Sequence, residues 1–351
     1  MSWKTWVGAG MLFFAACGQD NFDDKSLPEA MGSPGELVVV CDDAVWMGKS
    51  GEQIRKAYGA EQPGLPQPEP WFKLIRFDEG NFSDISQRYR NILFVTSLDN
   101  ASKTSRFIKE LLGEKQYSKQ LTDTTFLFVE SQNRWATGQQ VMYLIGNTDK
   151  SLADAIVRKQ EELRAFLNEK ERIRLVASIK SKGRNSKAEK LIADSCGLTL
   201  FLPKNYLVRV AEPGFVWVAR EDDEKALNLF ISTRPYTAQS QFLAAEVFAY
   251  RDSLSKQRIP GPTKGSYYTT EYLLPPDTAV TTFGGNYALQ LRGLWRVEND
   301  FMGGPFIHTT GLNVRTNQLV SMEGFVYFPK EKKRELLREL EAIISSAAVK
   351  P

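Results

Sequence analysis

Hydrophobic positions run along the chain in two alternating patterns. Short blocks rich in β-branched and aromatic residues, bounded by Pro, Gly, Asp or Asn, read as strands. In the first half these are Glu36–Cys41, Phe72–Phe77, Asn91–Thr96, Thr125–Val129 and Gln140–Ile145. Between them, apolar residues recur at helical spacing. Trp46 to Tyr58 places Ile54 and Tyr58 four apart, and Ser102 to Leu112 puts Phe107, Ile108, Leu111 and Leu112 on one face. A long helix is predicted from Ser151 to about Ser178, where Leu152, Ile156, Leu163, Phe166, Leu167 and Ile173 share a stripe among charges spaced three and four apart. Gln62 to Pro70 holds four prolines in nine residues, which excludes a helix and predicts an extended, stiff segment.

The second half opens with a short helix to Cys196. Strands follow at Leu198–Leu202, Tyr206–Val210, Phe215–Ala219 and Leu227–Ser232, with Pro203-Lys204-Asn205 and Glu212-Pro213-Gly214 as turns. That spacing predicts an antiparallel meander. A helix at Phe242–Leu254, strands at Tyr267–Leu274, Tyr287–Glu298, Phe306–Arg315 and Leu319–Tyr327, and an amphipathic helix at Glu331–Ser345 complete the chain. The expected architecture is α+β in two domains, each a mainly antiparallel sheet covered on one face by helices. The domains are 35–179 and 188–351, joined by a basic hinge at 180–187 (Lys180, Lys182, Arg184 and Lys187 among Ser, Gly and Asn). Asn91–Ser97 and Asn228–Thr233 can be laid side by side, which leaves a tandem duplication open.

The first residues carry an address. Lys4 precedes a mostly apolar run, Thr5 to Ala16, that is too short to span a bilayer at about 20 residues. Phe14-Ala15-Ala16-Cys17 resembles the bacterial lipobox, so residues 1–16 are expected to be a signal peptide, with Cys17 acylated by fatty acids such as palmitate. Several acyl chains, at about 0.8 kcal/mol per buried methylene, hold a protein to a membrane without a spanning helix. Residues 17–34 then read as a flexible acidic tether, and Asp20, Asp23 and Asp24 are placed where a surface-sorting label would sit. The expected location is a bacterial cell envelope, on the outer membrane.

Composition narrows the chemistry. The 351 residues are 42% hydrophobic and 25% charged, enough to build a core and too ordered in composition for a disordered chain. A mature chain of 44 basic and 42 acidic side chains offers nothing to a polyanion, so nucleic acid is not an expected partner. One histidine, His308, and two mature thiols, Cys41 and Cys196, are too few for a usual zinc site, and no metal or cofactor is expected. His308 alternates within a strand and is expected to be hydrogen-bonded there; no nucleophile elbow accompanies it. Cys41 and Cys196 close apolar elements in different domains and read as buried free thiols, with a disulfide as the alternative. Asp42-Asp43 follows a hydrophobic strand, where carboxylates either hold a divalent cation or cap the next helix; Asp43 is the expected cap. Glu221 to Glu224 reads as a solvated hairpin loop. Asp300 to Phe306 is the most unusual local sequence. It is expected to be a tight loop between strands; in the functional alternative Met302, Gly303, Gly304 and Phe306, with Trp46, Trp71 and Trp135, are the candidate binding surface.

Taken together, the lipobox, Pro34-Gly35-Glu36, Asp42-Asp43, Trp46, Gly64 to Pro70 (GLPQPEP), Arg90 to Leu93, Trp135-Ala136 and Gly303 to Phe306 resemble the domain of unknown function 4837 family, uncharacterised bacterial envelope lipoproteins. The resemblance runs over nearly the whole mature chain and implies an envelope lipoprotein without assigning an activity. The expected function is a lipid-anchored binding or structural module, non-enzymatic, with an envelope protein or glycan as partner. The alternative is an envelope hydrolase using Asp42 and Asp43.

Overall fold

A computed structural model describes residues 27–113, 126–222 and 224–350; Cys17 and the acidic Asp20, Asp23 and Asp24 lie outside the described residues. The chain forms two compact units. One holds the described residues up to Gly59 together with Phe72–Arg164, and the other Ala60–Trp71 together with Ala165–Pro351. The two-domain α+β class expected from the sequence is present, but the units do not divide at 180–187. The division instead falls inside one helix, and a twelve-residue loop belongs to the unit that follows it in the chain.

In the first unit the elements are β1 (Glu36–Val40), α1 (Asp43–Met47), α2 (Lys49–Gly59), β2 (Lys73–Phe77), β3 (Asn91–Ser97), α3 (Lys103–Leu112), β4 (Phe126–Gln132), β5 (Gln140–Gly146) and the start of α4 (Asp149–Ser181). The sheet order is β2-β1-β3-β5-β4, and only β4 runs antiparallel to its neighbour. The expectation of a mainly antiparallel sheet with one covered face is therefore corrected here. Its cause lies in the apolar runs: β3 and β5 are buried at every position, as are Leu37 to Val40. Strands buried on both faces suit parallel pairing through helical crossovers. On one face Val38, Val40, Ile92, Phe94, Val141 and Tyr143 pack with Ile108 and Leu112 of α3. The alternate positions Leu37, Val39, Leu93, Val95, Met142 and Leu144 are equally buried, like Ile54, Ala57 and Tyr58 of α2 and Leu152 and Ile156 of α4.

The last residues of the expected tether are also ordered. Glu29 and Met31 form isolated parallel bridges to Thr137 and Tyr89, and the Ala30 and Met31 amides donate to the carbonyls of Thr137 and Arg88. These contacts use the backbone, so no apolar periodicity announces them.

The second unit adds α5 (Ser186–Cys196), β6 (Leu198–Thr199), β7 (Leu207–Glu212), β8 (Phe215–Asp222), β9 (Lys225–Pro235), α6 (Ala244–Arg258), β10 (Tyr267–Glu271), β11 (Asp277–Phe283), β12 (Asn286–Glu298), β13 (Gly303–Asn313), β14 (Gln318–Tyr327), α7 (Arg334–Ser345) and β15 (Ala348–Val349). Eight strands form one antiparallel sheet in the order β10-β12-β13-β14-β9-β8-β7, with β11 also paired to β12, while β15 pairs with β6. The antiparallel expectation holds here, but helices again pack on both faces. Leu337, Leu340, Ile343 and Ile344 of α7 and Ile192 of α5 join Ile307, Val320 and Met322 on one side. Val247 of α6 joins Phe230, Leu291, Phe306 and Phe325 on the other. Parallel β3 and antiparallel β9 occupy unlike sheets, so the match of their sequences does not extend to a repeated fold.

The proline-rich loop Ala60–Trp71 serves α7. That helix has no side-chain cap of its own at Lys333. Glu69 supplies one from 264 positions earlier: its carboxylate accepts the Lys333 amide at 2.7 Å and the Arg334 amide at 3.2 Å. Arg334 and Arg338 return hydrogen bonds to the carbonyls of Pro70 and Trp71, and Lys333 Nζ donates to Gln67. A buried carboxylate on the first amides of a helix satisfies orphan donors and meets the positive end of the dipole. Glu69→Ala should therefore lower unfolding stability by about 1–2 kcal/mol, read as a lower urea midpoint; an unchanged midpoint would remove the capping role.

Candidate functional site

The carboxyl edge of the parallel sheet is where its connections diverge. The chain leaves β1 for β2 on one side and β3 for β5 on the other, and in open α/β sheets ligands favour the crevice outside such a switch point. Asp42 and Asp43 follow β1 here, facing the segment Ser97 to Ser102 that follows β3. Asp42, rather than the expected Asp43, caps α1: Oδ1 accepts the Val45 amide at 2.9 Å. Its other oxygen accepts from Asn100 Nδ2 and Ser102 Oγ, both at 2.6 Å. Burial alone would push this carboxyl up, but the hydrogen bonds from Ser102, Val45 and Asn100 outweigh it and hold the group below its ordinary range. Asp43 is exposed and pairs with Arg76, which also donates to the Cys41 carbonyl. The two carboxylates thus act apart, one as a cap and one as a surface ion pair. Neither is arranged with the other as an acid–base pair.

The second unit buries a polar network that the sequence did not announce as a group. Arg251 on α6 lays Nε and Nη2 against the two oxygens of Glu323 on β14, each at 2.8 Å. Both side chains are fully buried. Tyr268 on β10 donates to Glu323 at 2.5 Å, and the Arg251 guanidinium stacks 3.8 Å from the Phe306 ring centre. His308 on β13 completes the set, with Nδ1 2.8 Å from Glu323 and Nε2 2.9 Å from Thr310 Oγ1, which in turn meets Ser321 Oγ at 2.9 Å. Burial works against the ionised Glu323, yet Arg251 and His308 more than offset this and hold its carboxyl below the usual range. With Glu323 as acceptor, His308 Nδ1 is the donor. The series of hydroxyls, imidazole and carboxylate resembles a relay in composition, but His308, Thr310 and Glu323 have no solvent exposure. Its effect is to tie α6 to the sheet and to link β10 with β13 and β14 across one face of it. His308 is a hydrogen-bonded strand histidine, as its alternation predicts.

The candidate binding residues fall in both units. Trp46 and Trp135 belong to the first unit, and Trp71, Met302, Gly303, Gly304 and Phe306 to the second. Arg55 stacks over Trp46, and Trp135 packs edge-on against Phe82 within the core. Gly303 and Gly304 are strand residues, and the turn lies just before them. Gly304 is buried where a Cβ would stand 2.0 Å from the Val326 carbonyl oxygen, so close backbone packing, not a rim, accounts for it. Cys41 and Cys196 are free and buried, each thiol pushed up to about 12 by burial. Glu221 and Asp222 end β8, where they pair with Arg209 and Lys225. Lys180 and Arg184 of the basic segment stack on Phe201. Among the described residues no cluster of His, Cys, Asp or Glu is placed to hold a metal, and no helix is long and apolar enough to cross a membrane.

Arg251 and Glu323 were legible only in retrospect. Arg251 falls on the buried face of α6, and Glu323 is the one charge in the ten residues of β14. A lone charge inside an apolar strand, beside another in an apolar helical stripe, is the signal for a buried pair.

Comparison with known sequences divides the chain between 180 and 185, within the hinge expected from the sequence and not inside α4. Residues 185–346 match the domain of unknown function DUF4837, and residues 30–180 match a second domain of unknown function, DUF8532. The resemblance to the DUF4837 family thus stands for the second half, and the first half, expected to share it, matches a different family. No curated protein matches the chain. Solved structures similar to part of it include cyanobacterial PsbP from Synechocystis sp. PCC 6803, at 14% identity over 48% of this chain and 90% of that one, with TM-score 0.31. The Ran-binding protein Mog1p of Saccharomyces cerevisiae is similar at 11% identity over 44% and 90%, TM-score 0.30. LpqN of Mycobacterium tuberculosis, described as involved in cell envelope biogenesis, is similar at 13% over 44% and 83%, TM-score 0.28. Likeness this weak bears on neither activity nor partner.

Proposed function

We propose that this chain, whose halves match DUF8532 and DUF4837, is a lipid-anchored cell-envelope protein that works by binding or by structure rather than by catalysis. The observation that carries the non-catalytic part is the employment of every catalytic candidate in the fold. His308 has both ring nitrogens engaged and no solvent exposure, and Asp42 has both carboxylate oxygens engaged by the first turn of α1 and the β3–α3 segment. A hydrolase built on Asp42 and Asp43 would need the two carboxyls aimed at one substrate, and Asp43 instead meets Arg76. The anchor rests on the lipobox at Phe14 to Cys17.

Metabolic labelling with a fatty-acid analogue tests the anchor. The wild-type protein should take up label and sediment with membranes, and Cys17→Ser should take up none. Label retained by Cys17→Ser, or absent from the wild type, would sink the lipoprotein assignment. Crosslinking in cells tests the binding part: a partner captured by the wild type should still be captured by Asp43→Asn, since that carboxylate is not assigned a chemical role.

A further inference from the structure

Arginine usage in the second unit singles out one residue. Every other described arginine there donates to a carboxylate or a backbone carbonyl. Arg234, near the end of β9, does neither. Its Nε and Nη2 are closed off from solvent with no hydrogen-bond acceptor. Its guanidinium carbon lies 3.9 Å from the Tyr250 ring centre, so one face of the cation is stacked on α6. The remaining nitrogen, Nη1, is not among the closed-off atoms.

An arginine with buried, unmet donors is a costly arrangement. Burial also pulls its pKa below the ordinary arginine range, with Tyr250 and Glu246 acting the other way. A fold seldom keeps such a group without a use, because an uncharged side chain of similar size would be more stable. The surroundings indicate what would use it. Tyr250 OH donates to Ser232 Oγ at 3.1 Å, two positions before Arg234 on the same strand face. Tyr236, Phe242 and Tyr287 form a series of ring contacts at 6.1 and 5.4 Å beside the end of the same strand. Leu319 is the strand partner of Arg234 on β14. A planar cation stacked on one aromatic ring, with aromatic neighbours, favours a planar anion that offers two oxygens to the guanidinium edge. One guanidinium balances one negative charge, and exposed Glu246, a turn before Tyr250, disfavours a dianion.

We propose that Arg234, stacked on Tyr250, is the recognition residue of a ligand site for a monocarboxylate attached to an apolar or aromatic group. The carboxylate meets the guanidinium at Nη1, the nitrogen that is not closed off. This deepens the binding reading above and rests on it, while making no use of the anchor.

The test is calorimetric titration of the full chain in detergent with benzoate, with benzamide and inorganic phosphate as controls. Saturable binding of benzoate is expected, without binding of benzamide, which keeps the ring and the shape but lacks the charge. Phosphate should not displace benzoate at equal concentration. Arg234→Gln should weaken benzoate binding at least tenfold while melting no lower than the wild type, since it removes a partly buried cation whose Nε and Nη2 have no acceptor; Arg234→Lys should also bind weakly, having lost the planar fork. The proposal is overturned if benzoate shows no saturable binding, if benzamide or phosphate binds as well, or if Arg234→Gln binds benzoate like the wild type. A lower melting point for Arg234→Gln would make the residue structural and overturn it equally. Because no protein partner is present, failure here leaves the crosslinking result to decide the broader binding reading on its own.

Discussion

Glu323→Ala should destabilise the second unit by about 3–5 kcal/mol, the range for removing one partner of a buried ion pair. The loss comes from what is left behind more than from what is removed. Arg251 would keep its charge with Asp252 as its remaining carboxylate partner, its Nε would lose its acceptor and its Nη2 would keep only Tyr268 OH, while Tyr268 OH and His308 Nδ1 would lose the carboxylate they donate to. Glu323→Gln keeps the shape and should still cost more than a surface change, because an amide presents one acceptor where the carboxylate presents two. Replacing both ends, as in Arg251→Met with Glu323→Leu, should recover part of the loss, since apolar packing of similar volume substitutes for the ion pair while Tyr268 OH and His308 Nδ1 stay unmet. Urea unfolding followed by tryptophan fluorescence gives the comparison, and equal midpoints for Glu323→Ala and wild type would remove the network from the stability of the unit. The pH dependence has a definite sign. A carboxyl held below its unfolded value contributes stability that is present above that value, about 4.5, and is lost as pH falls through the lower folded value. The wild type should therefore lose stability on the acid side, and the doubly apolar variant should lose less of it.

Gly304→Ala is the second large effect, expected at about 2–4 kcal/mol from overpacking and one lost hydrogen bond. The added carbon would stand 2.0 Å from the Val326 carbonyl oxygen and 3.0 Å from the Trp295 indole nitrogen. Those two atoms are themselves bonded, Nε1 to O at 3.2 Å, so the intruding methyl group must part them or shift β13 from β14. Both neighbours belong to the sheet and its core, and neither is the free end of a flexible chain. Phe301→Ala, in the turn immediately before, is the control: its side chain is fully exposed, and the change should stay within about 0.5 kcal/mol. A Gly304→Ala protein as stable as that control would show that β13 and β14 yield at no cost.

Secondary structure was legible where one physical pattern dominated. The long α4 declares itself by a stripe from Leu152 onward, and β9, β12, β13 and β14 by segments rich in apolar and aromatic residues. Strand direction was not legible in the first unit, because buried runs such as Leu37–Val40 and Ile92–Val95 look alike whichever way their neighbours point. Strand β11 escaped because it is polar and exposed, Asp-Thr-Ala-Val-Thr-Thr, and is held by pairing with β12 more than by burial. Gly303 and Gly304 read as a turn because glycine signals both conformational freedom and close approach, and only the position of Trp295 and Val326 separates the two. The cap on α1 was placed one residue late, since Asp42 and Asp43 are chemically equal in sequence and differ only in which reaches the Val45 amide. Buried polar groups were the least legible part. Arg251, Glu323, Glu69 and Arg234 each draw their meaning from a partner, or the lack of one, far away along the chain.

The loop Ala60–Trp71 bears on how the molecule is made. Glu69 leaves the ribosome some 264 residues before Lys333. At about 5–20 residues per second, that interval is on the order of tens of seconds. The proline-rich loop need not wait as an open strand: it closes on itself, with Glu61 bridged to Pro70 and the Gln62 amide on the Glu69 carbonyl, so local contacts can place the carboxylate. The last helix then arrives to find its capping carboxylate already present. A fragment cut at the boundaries of sequence similarity, 185–346, would make α7 without the residue that finishes it. The unit of inheritance in this chain is therefore shorter than its unit of folding.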